Sequence, residues 1–164
     1  MPEDICLSCG FCCNGVIFAD VKFQPRDDAK KLLGLGLTPI SQGRKFAQPC
    51  AALCEGRCGI YSERPGYCRA FECLLLKRLK NGGVTREQAL RTIRLARRQA
   101  DEVFRLLYEM GDTDEHKPLA ARLRQTTRRD EKLNLDKKTA ILYGQLTVAV
   151  QKLQCTLSAS FYPG

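Results

Sequence analysis

The most regular hydrophobic pattern lies in the second half of the chain. Ala89, Ile93, Ala96, Ala100, Val103, Leu107 and Met110 recur at alternating spacings of four and three, which places them on one face of a long amphipathic helix. Thr85-x-x-Gln88 supplies a capping box at its start and Gly111 a stop at its end. Three of these seam residues are alanines, so a partner element can approach closely. Arg91, Arg94, Arg98 and Arg105 fall on another face. That face reads as solvated, with Asp101 and Glu102 spaced to pair with Arg97 and Arg98; a nucleic-acid-binding stripe is the competing reading.

Weaker patterns flank this helix. "PLAARLRQTTRR" begins at Pro118 and predicts a shorter helix. "DKKTAILYGQLTVAVQKLQCTLSA" carries Leu142, Leu146, Ala149 and Leu153 on one helical face, with Thr156 or Leu157 continuing it, although Thr147, Val148 and Val150 raise its strand propensity. Upstream, "GVIFADVKF" predicts a strand. "PRDDAKKLLGLG" predicts a short helix opened by Pro25, with Asp27 and Asp28 in its first turn and Gly34 or Gly36 at its end. "TPISQGRK" reads as loop. "FAQPCAALCEGRCGIY" predicts a hairpin turning at Glu55-Gly56; the competing reading is one turn of helix, since Cys50 and Cys54 are four apart. A Pro-Gly loop follows and becomes helical from about Arg69, and Asn81-Gly82-Gly83 marks a boundary. There is no internal repeat and no low-complexity segment. The organisation expected is a cysteine-rich module over 1–81 and a helical part over 82–164 completing the same domain.

No run of about 18 apolar residues is present, so the sequence predicts no spanning helix. The first residues, MPEDICLSCG, lack the basic and apolar regions of a signal peptide. The expectation is a cytoplasmic protein in a reducing compartment, where clustered cysteines bind metal more often than they form disulfides. The charge is +9, from 27 basic and 18 acidic residues, and the excess is spread over both halves. Eight thiolates holding two divalent ions would add four negative charges and bring the balance to about +5. That weakens the nucleic-acid reading.

Cysteine changes the picture most. Ten are present, nine of them before residue 74, in two groups separated by the Cys-free stretch from 14 to 49. Cys6-x2-Cys9-x2-Cys12 places thiols every three residues around a Gly-containing turn, a spacing that lets sulfurs converge on one ion or cluster. Gly10 and Gly15 permit a tight backbone there. Cys13 stands where a ferredoxin run would continue differently. Adjacent side chains point apart, so Cys12 and Cys13 are expected to serve different metals, or one sulfur to bridge two. The other ligands must come from Cys50, Cys54, Cys58, Cys68 and Cys73. An all-thiolate set suits zinc or iron alike, and zinc is preferred because the spacing departs from ferredoxin. A catalytic thiol would need a base, and the one histidine, His116, sits in a charged loop. Tyr61, Arg64 and Arg69 read as donors supporting thiolate sulfur rather than as substrate groups.

Cys6-x2-Cys9-Gly10-x-Cys12-Cys13 followed by "CGIYSERPGYCRAFEC" at 58–73 resembles the CxxCxxCC family, the YkgJ-type cysteine-cluster proteins that chelate zinc or iron. The resemblance covers about 5–75 and rests on Cys50, Cys58, Ile60, Tyr61, Arg64, Pro65, Cys68, Arg69 and Cys73 beside the first cluster. It implies eight ligands, Cys6, Cys9, Cys12, Cys13, Cys50, Cys58, Cys68 and Cys73, and leaves Cys54 and Cys155 spare. Flagellin lysine N-methylase carries a similar domain together with an iron–sulfur cluster. A cluster-dependent modifying enzyme is therefore the alternative function, and a basic nucleic-acid-binding module the second alternative. The expected fold is mainly α, with a small cysteine-rich, metal-bound module containing a short β-hairpin packed against C-terminal helices. The expected cofactor is zinc, or iron as [4Fe–4S], in a two-metal or polynuclear site. Partners and oligomeric state are not specified by the sequence, and no membrane is expected.

Overall fold

The computed structural model describes residues 3–130 and 136–162, so the reading of the N-terminal stretch lies outside the described residues at positions 1 and 2. The protein is mainly helical with two small antiparallel sheets, as the sequence predicts. Among the described residues no helix is long and apolar enough to cross a membrane. The chain forms two compact units. One comprises Met1–Glu72 with Glu115–Leu119, and the other Cys73–Asp114 with Ala120–Gly164.

The first unit opens with α1 (Glu3–Cys9). The expected turn through Cys6 and Cys9 is instead helical, and it is ended by Gly10 at φ 71°. The segment "GVIFADVKF" yields β1 (Asp20–Lys22). The next helix, α2 (Ala29–Gly34), begins later than Pro25, because Asp28 is its N-cap and accepts from the Lys31 N–H at 2.9 Å. The stretch expected to be loop yields β2 (Pro39–Ile40) and the first residue of β3 (Lys45–Ala47), whose Phe46 and Ala47 open the segment expected to be a hairpin. The hairpin between them turns through Ser41, Gln42 and Gly43, all at positive φ, and β3 pairs antiparallel with both β1 and β2.

Leu32, Leu37, Phe46 and Cys50 are the buried residues of this unit's core cluster, with Val21, Phe23, Ala52, Ile60, Cys13 and Cys68 packed on them. The second hairpin is β4 (Leu53–Cys54) and β5 (Arg57–Cys58). Glu55 and Gly56 both take positive φ, as a type I′ turn requires, so the helical reading of Cys50 and Cys54 fails. α3 (Gly66–Ala70) follows a short 3-10 turn at Tyr61–Glu63.

The second unit starts at Cys73, whose sulfur accepts from the Leu76 N–H at 3.5 Å and caps α4 (Leu74–Lys80). The predicted helix from Arg69 is thus two helices broken at Phe71–Cys73. α5 (Arg86–Glu109) has the predicted capping box, with Gln88 N–H on the Thr85 hydroxyl at 3.1 Å and Thr85 N–H on the Gln88 side chain at 2.7 Å. All seven predicted seam residues are buried, and Leu106 joins them. Its arginine face is exposed and carries ion pairs beyond those the sequence suggests. Arg91 meets Glu87 at 3.2 Å, and Arg105 meets Glu102 at 2.7 Å and also Glu109.

α6 (Leu119–Asp130) and α7 (Lys137–Ser160) complete the chain. The segment whose β-branched residues favoured a strand is helical throughout, because Leu146, Ala149, Leu153 and Leu157 form a buried seam. The most extensive helix contact is between α5 and α7. Arg122 of α6 is buried against Asp112, donating from Nε to the carboxylate at 3.1 Å, and lies over the Phe104 ring.

Two substitutions test this core. Ala96 is fully buried, so Ala96→Leu overpacks its contact and lowers stability by about 1–3 kcal/mol. Asp112→Ala leaves the Arg122 guanidinium buried without its carboxylate and costs about 3 kcal/mol or more. Urea denaturation followed by circular dichroism measures both, with exposed Arg94→Gln as the neutral control. A wild-type midpoint for Ala96→Leu would show that this face is not packed.

Candidate metal centre

The first unit brings its thiols together by four devices. β4–β5 returns the chain so that Cys58 lies beside α1, the helix of Cys6 and Cys9. The turn after α1, closed by Cys13 N–H on the Gly10 carbonyl at 2.9 Å, presents Cys12 and Cys13. The backbone of Cys13 is tied to the second group directly, since its carbonyl accepts from the Cys50 N–H at 2.7 Å. Cys68 arrives on α3, which is fixed by Asp27. One Asp27 oxygen accepts from the Gly66 N–H and the other from the Gln24 N–H, both at 2.8 Å. A Cβ at Gly66 would stand 2.9 Å from Gln24 and 3.2 Å from the Asp27 carboxylate, so only glycine permits this approach. Sequence reasoning assigned Asp27 to a helix first turn and missed this role; a carboxylate two residues after Pro25 carries no local signal for a partner 39 residues away.

Gly15 is the second position where glycine is required. It sits at φ +77°, with Pro118 and Pro49 atoms 3.1 Å from where a Cβ would be. Its carbonyl accepts from the Leu119 N–H at 2.9 Å. This is how residues 115–119 join the cysteine unit; His116, within that segment, is exposed.

The electrostatics identify four sulfurs that sense one another. Cys13 and Cys58 share a hydrogen bond. That bond, then burial, then the charges of Cys50, Cys58 and Cys12 push the Cys13 thiol far up. The same bond pulls Cys58 down to about 6, against its burial, with help from the Ile60 N–H and the Arg64 guanidinium. The bond thus drives the two thiols in opposite directions, Cys13 toward the thiol and Cys58 toward the thiolate. Burial pushes Cys50 up, opposed by a hydrogen bond from the Ala52 N–H. Cys68 is raised to about 12 by burial and by Cys50 and Cys58, with Arg64 acting in the opposite sense.

Arg64 is held for this task. Its Nε donates to the Tyr61 carbonyl at 2.9 Å and its guanidinium stacks on the Tyr61 ring at 3.6 Å. Arg69, expected to act with it, is exposed on α3.

Cys6, Cys9 and Cys12 are half-buried in the same unit, whereas Cys73 is half-buried at the start of the second unit as the α4 cap. Cys54 and Cys155 are exposed. Among the described residues, no group of three or more His, Cys, Asp or Glu side chains is arranged to hold a metal ion. The thiols are neighbours rather than a formed coordination shell. Their chemistry nevertheless fits a soft cation: they are half-buried to buried, they lie within reach of backbone N–H donors, and they suppress one another's ionisation, a penalty that a divalent charge reverses.

A family model, CxxCxxCC, described as a "putative zinc- or iron-chelating domain", matches residues 5–100, more than half of the chain. No curated protein and no solved structure matches the chain.

The unequal thiols give a pH-dependent signature. In reduced, metal-free protein under conditions where circular dichroism shows it folded, iodoacetamide should modify Cys58 ahead of Cys13, Cys50 and Cys68. Its rate should rise through a pH of about 6 and level off by neutrality, because a depressed value means that the thiolate is already formed there. Peptide mass spectrometry across pH measures this. Uniform labelling of the four, with onset only at alkaline pH, would contradict the Cys13–Cys58 bond.

Proposed function

The chain belongs to the CxxCxxCC family of cysteine-rich, zinc- or iron-chelating domains, and we propose that its first unit is a two-ion thiolate centre rather than a single zinc knuckle. Cys13, Cys50, Cys58 and Cys68 would hold one ion. Cys6, Cys9 and Cys12 would serve a second, with Cys12 and Cys13 facing different ions. The observation that carries this reading is the meeting of the two cysteine groups at Cys50, whose N–H donates to the Cys13 carbonyl at 2.7 Å and against whose core cluster Cys13 and Cys68 pack, with Cys58 acting electrostatically on both Cys50 and Cys68. Bound as thiolates, Cys13, Cys50 and Cys68 would each release a proton to solvent, and the ion would supply the positive charge that lets them ionise together with Cys58. Arg64 and the N–H groups of Ala52 and Ile60 would then hydrogen-bond or neutralise sulfur.

Zinc is the ion proposed first, because the Cys12-Cys13 pair departs from ferredoxin spacing. Iron is the other outcome of metal analysis. The role is structural or chelating and cytoplasmic.

Metal analysis and an absorption spectrum of protein purified without oxygen test the reading directly. Two zinc or iron equivalents are expected. Cys13→Ser and Cys58→Ser should each remove about one equivalent, whereas Cys54→Ser and Cys155→Ser should remove none. Structural zinc contributes about 10–16 kcal/mol in small peptides, so a strong chelator should lower the unfolding midpoint of the cysteine unit sharply. The helices of the second unit, which have their own core, should keep most of the helical signal. Metal-free protein whose cysteines remain protected from alkylation would refute the proposal.

A further inference from the structure

The second unit carries a groove that the metal centre leaves unexplained. It runs between α5 and α7, has a volume of about 700 Å³, and exposes apolar side chains along its walls. Leu95 is 42% exposed, Ile141 54% and Val148 51%, although each belongs to a helix whose other face is buried. The groove also holds an orphan: the Gln99 side-chain oxygen is buried without a hydrogen-bond partner.

The spacing of the lining residues specifies the shape that fits. On α7 they include Ile141, Gly144, Gln145 and Val148, the i, i+3, i+4, i+7 set that forms the hole for one inserted side chain of a facing helix. The hole is open, because a Cβ at Gly144 would meet nothing within 4 Å. On α5 they include Leu95, Arg98, Gln99 and Glu102, the same set of four. Ile141 and Val148 are two helical turns apart, about 10.5 Å, the repeat of the seam on an amphipathic helix. The charges are unbalanced. Arg98, Arg105 and Lys152 line the groove against the single carboxylate of Glu102. Arg105 is paired with Glu102 and Glu109, Lys152 bears on Glu102, and Arg98 has no ion-pair partner among the described residues. A second copy of this chain would bring the same positive excess against its own.

We propose that the α5–α7 groove docks an amphipathic helix of a partner protein, with a leucine-type seam flanked by acidic residues. The seam seats in the holes at Gly144 and Gln99, and the flanking carboxylates meet Arg98 and Lys152.

The test uses the full, metal-loaded chain and two synthetic three-heptad peptides with leucine at both core positions. One carries Glu at the flanking positions and the other Lys. Fluorescence anisotropy should show saturable binding of the Glu peptide and at least tenfold weaker binding of the Lys peptide. Gly144→Gln fills the hole and Val148→Glu charges an exposed wall; each should weaken the Glu peptide about tenfold or more while leaving the thermal midpoint unchanged. Arg98→Glu with Lys152→Glu should reverse the peptide preference. Absence of saturable binding, equal affinity for both peptides, or indifference to the groove substitutions would overturn the proposal. So would a wild-type dimer in sedimentation that Val148→Glu dissociates, which would assign the groove to a second copy. Metal content is read in the same samples, so failure here is distinguishable from failure of the metal centre.

Discussion

Crowded thiols are the constraint around which the cysteine unit is built. Two thiolates in a desolvated corner repel each other, and the hydrogen bond between them pushes Cys13 toward the protonated form and Cys58 toward the ionised one. Cys50 and Cys68 are driven toward the protonated form by the same burial and the same neighbours. A divalent cation inverts that logic, since every sulfur gains from the charge its neighbours resist. The apolar cluster around these sulfurs is small, with Leu32, Leu37 and Phe46 its buried hydrocarbon members. Units of this size commonly need a staple beyond their core. Here Cys50 belongs to the core itself, so one sulfur of the candidate centre is also a packing residue.

The backbone serves the sulfurs through close approaches that a larger side chain would block. Gly66 lets α3 descend on the Asp27 carboxylate and so places Cys68. Gly15 lets residues 115–119 close on the loop after Cys13. The positive φ of Glu55 and Gly56 returns β5, and with it Cys58, toward α1. These are long-range conditions on local geometry, which is why they position ligands better than helix or strand propensity alone would.

Legibility in the sequence follows the same division between local and distant causes. The α5 seam and its capping box could be read because the period, the cap and the stop all lie within one segment. The hairpin at Glu55-Gly56 was readable for the same reason. β2 and β3 were not, because each is two or three residues long and polar in part. They exist through pairing, with β3 meeting β1 across about 25 residues of chain. The short helix α1 was hidden by the glycine that ends it, which made the Cys6–Cys12 spacing look like a loop. The cysteine pattern announced the chelating family, since soft ligands at knuckle spacing are its signature. It said nothing of which sulfurs couple, because that depends on burial and on Asp27 and Arg64, whose partners are set by the fold.

The ambiguity of the last helix has a physical source. Its buried seam is Leu146, Ala149, Leu153 and Leu157, but Ile141 and Val148 add apolar surface on another face. A helix apolar on two faces loses the contrast that periodicity detects, so β-branched residues there tilt the reading toward strand. A helix with one partner needs one apolar face, and α5 already occupies it. The second face of α7 also lies beyond residue 100, where the family match ends. Chelation is therefore the property carried by the matched segment. The groove, drawing half its wall from α7, is where this chain adds surface that chelation does not require.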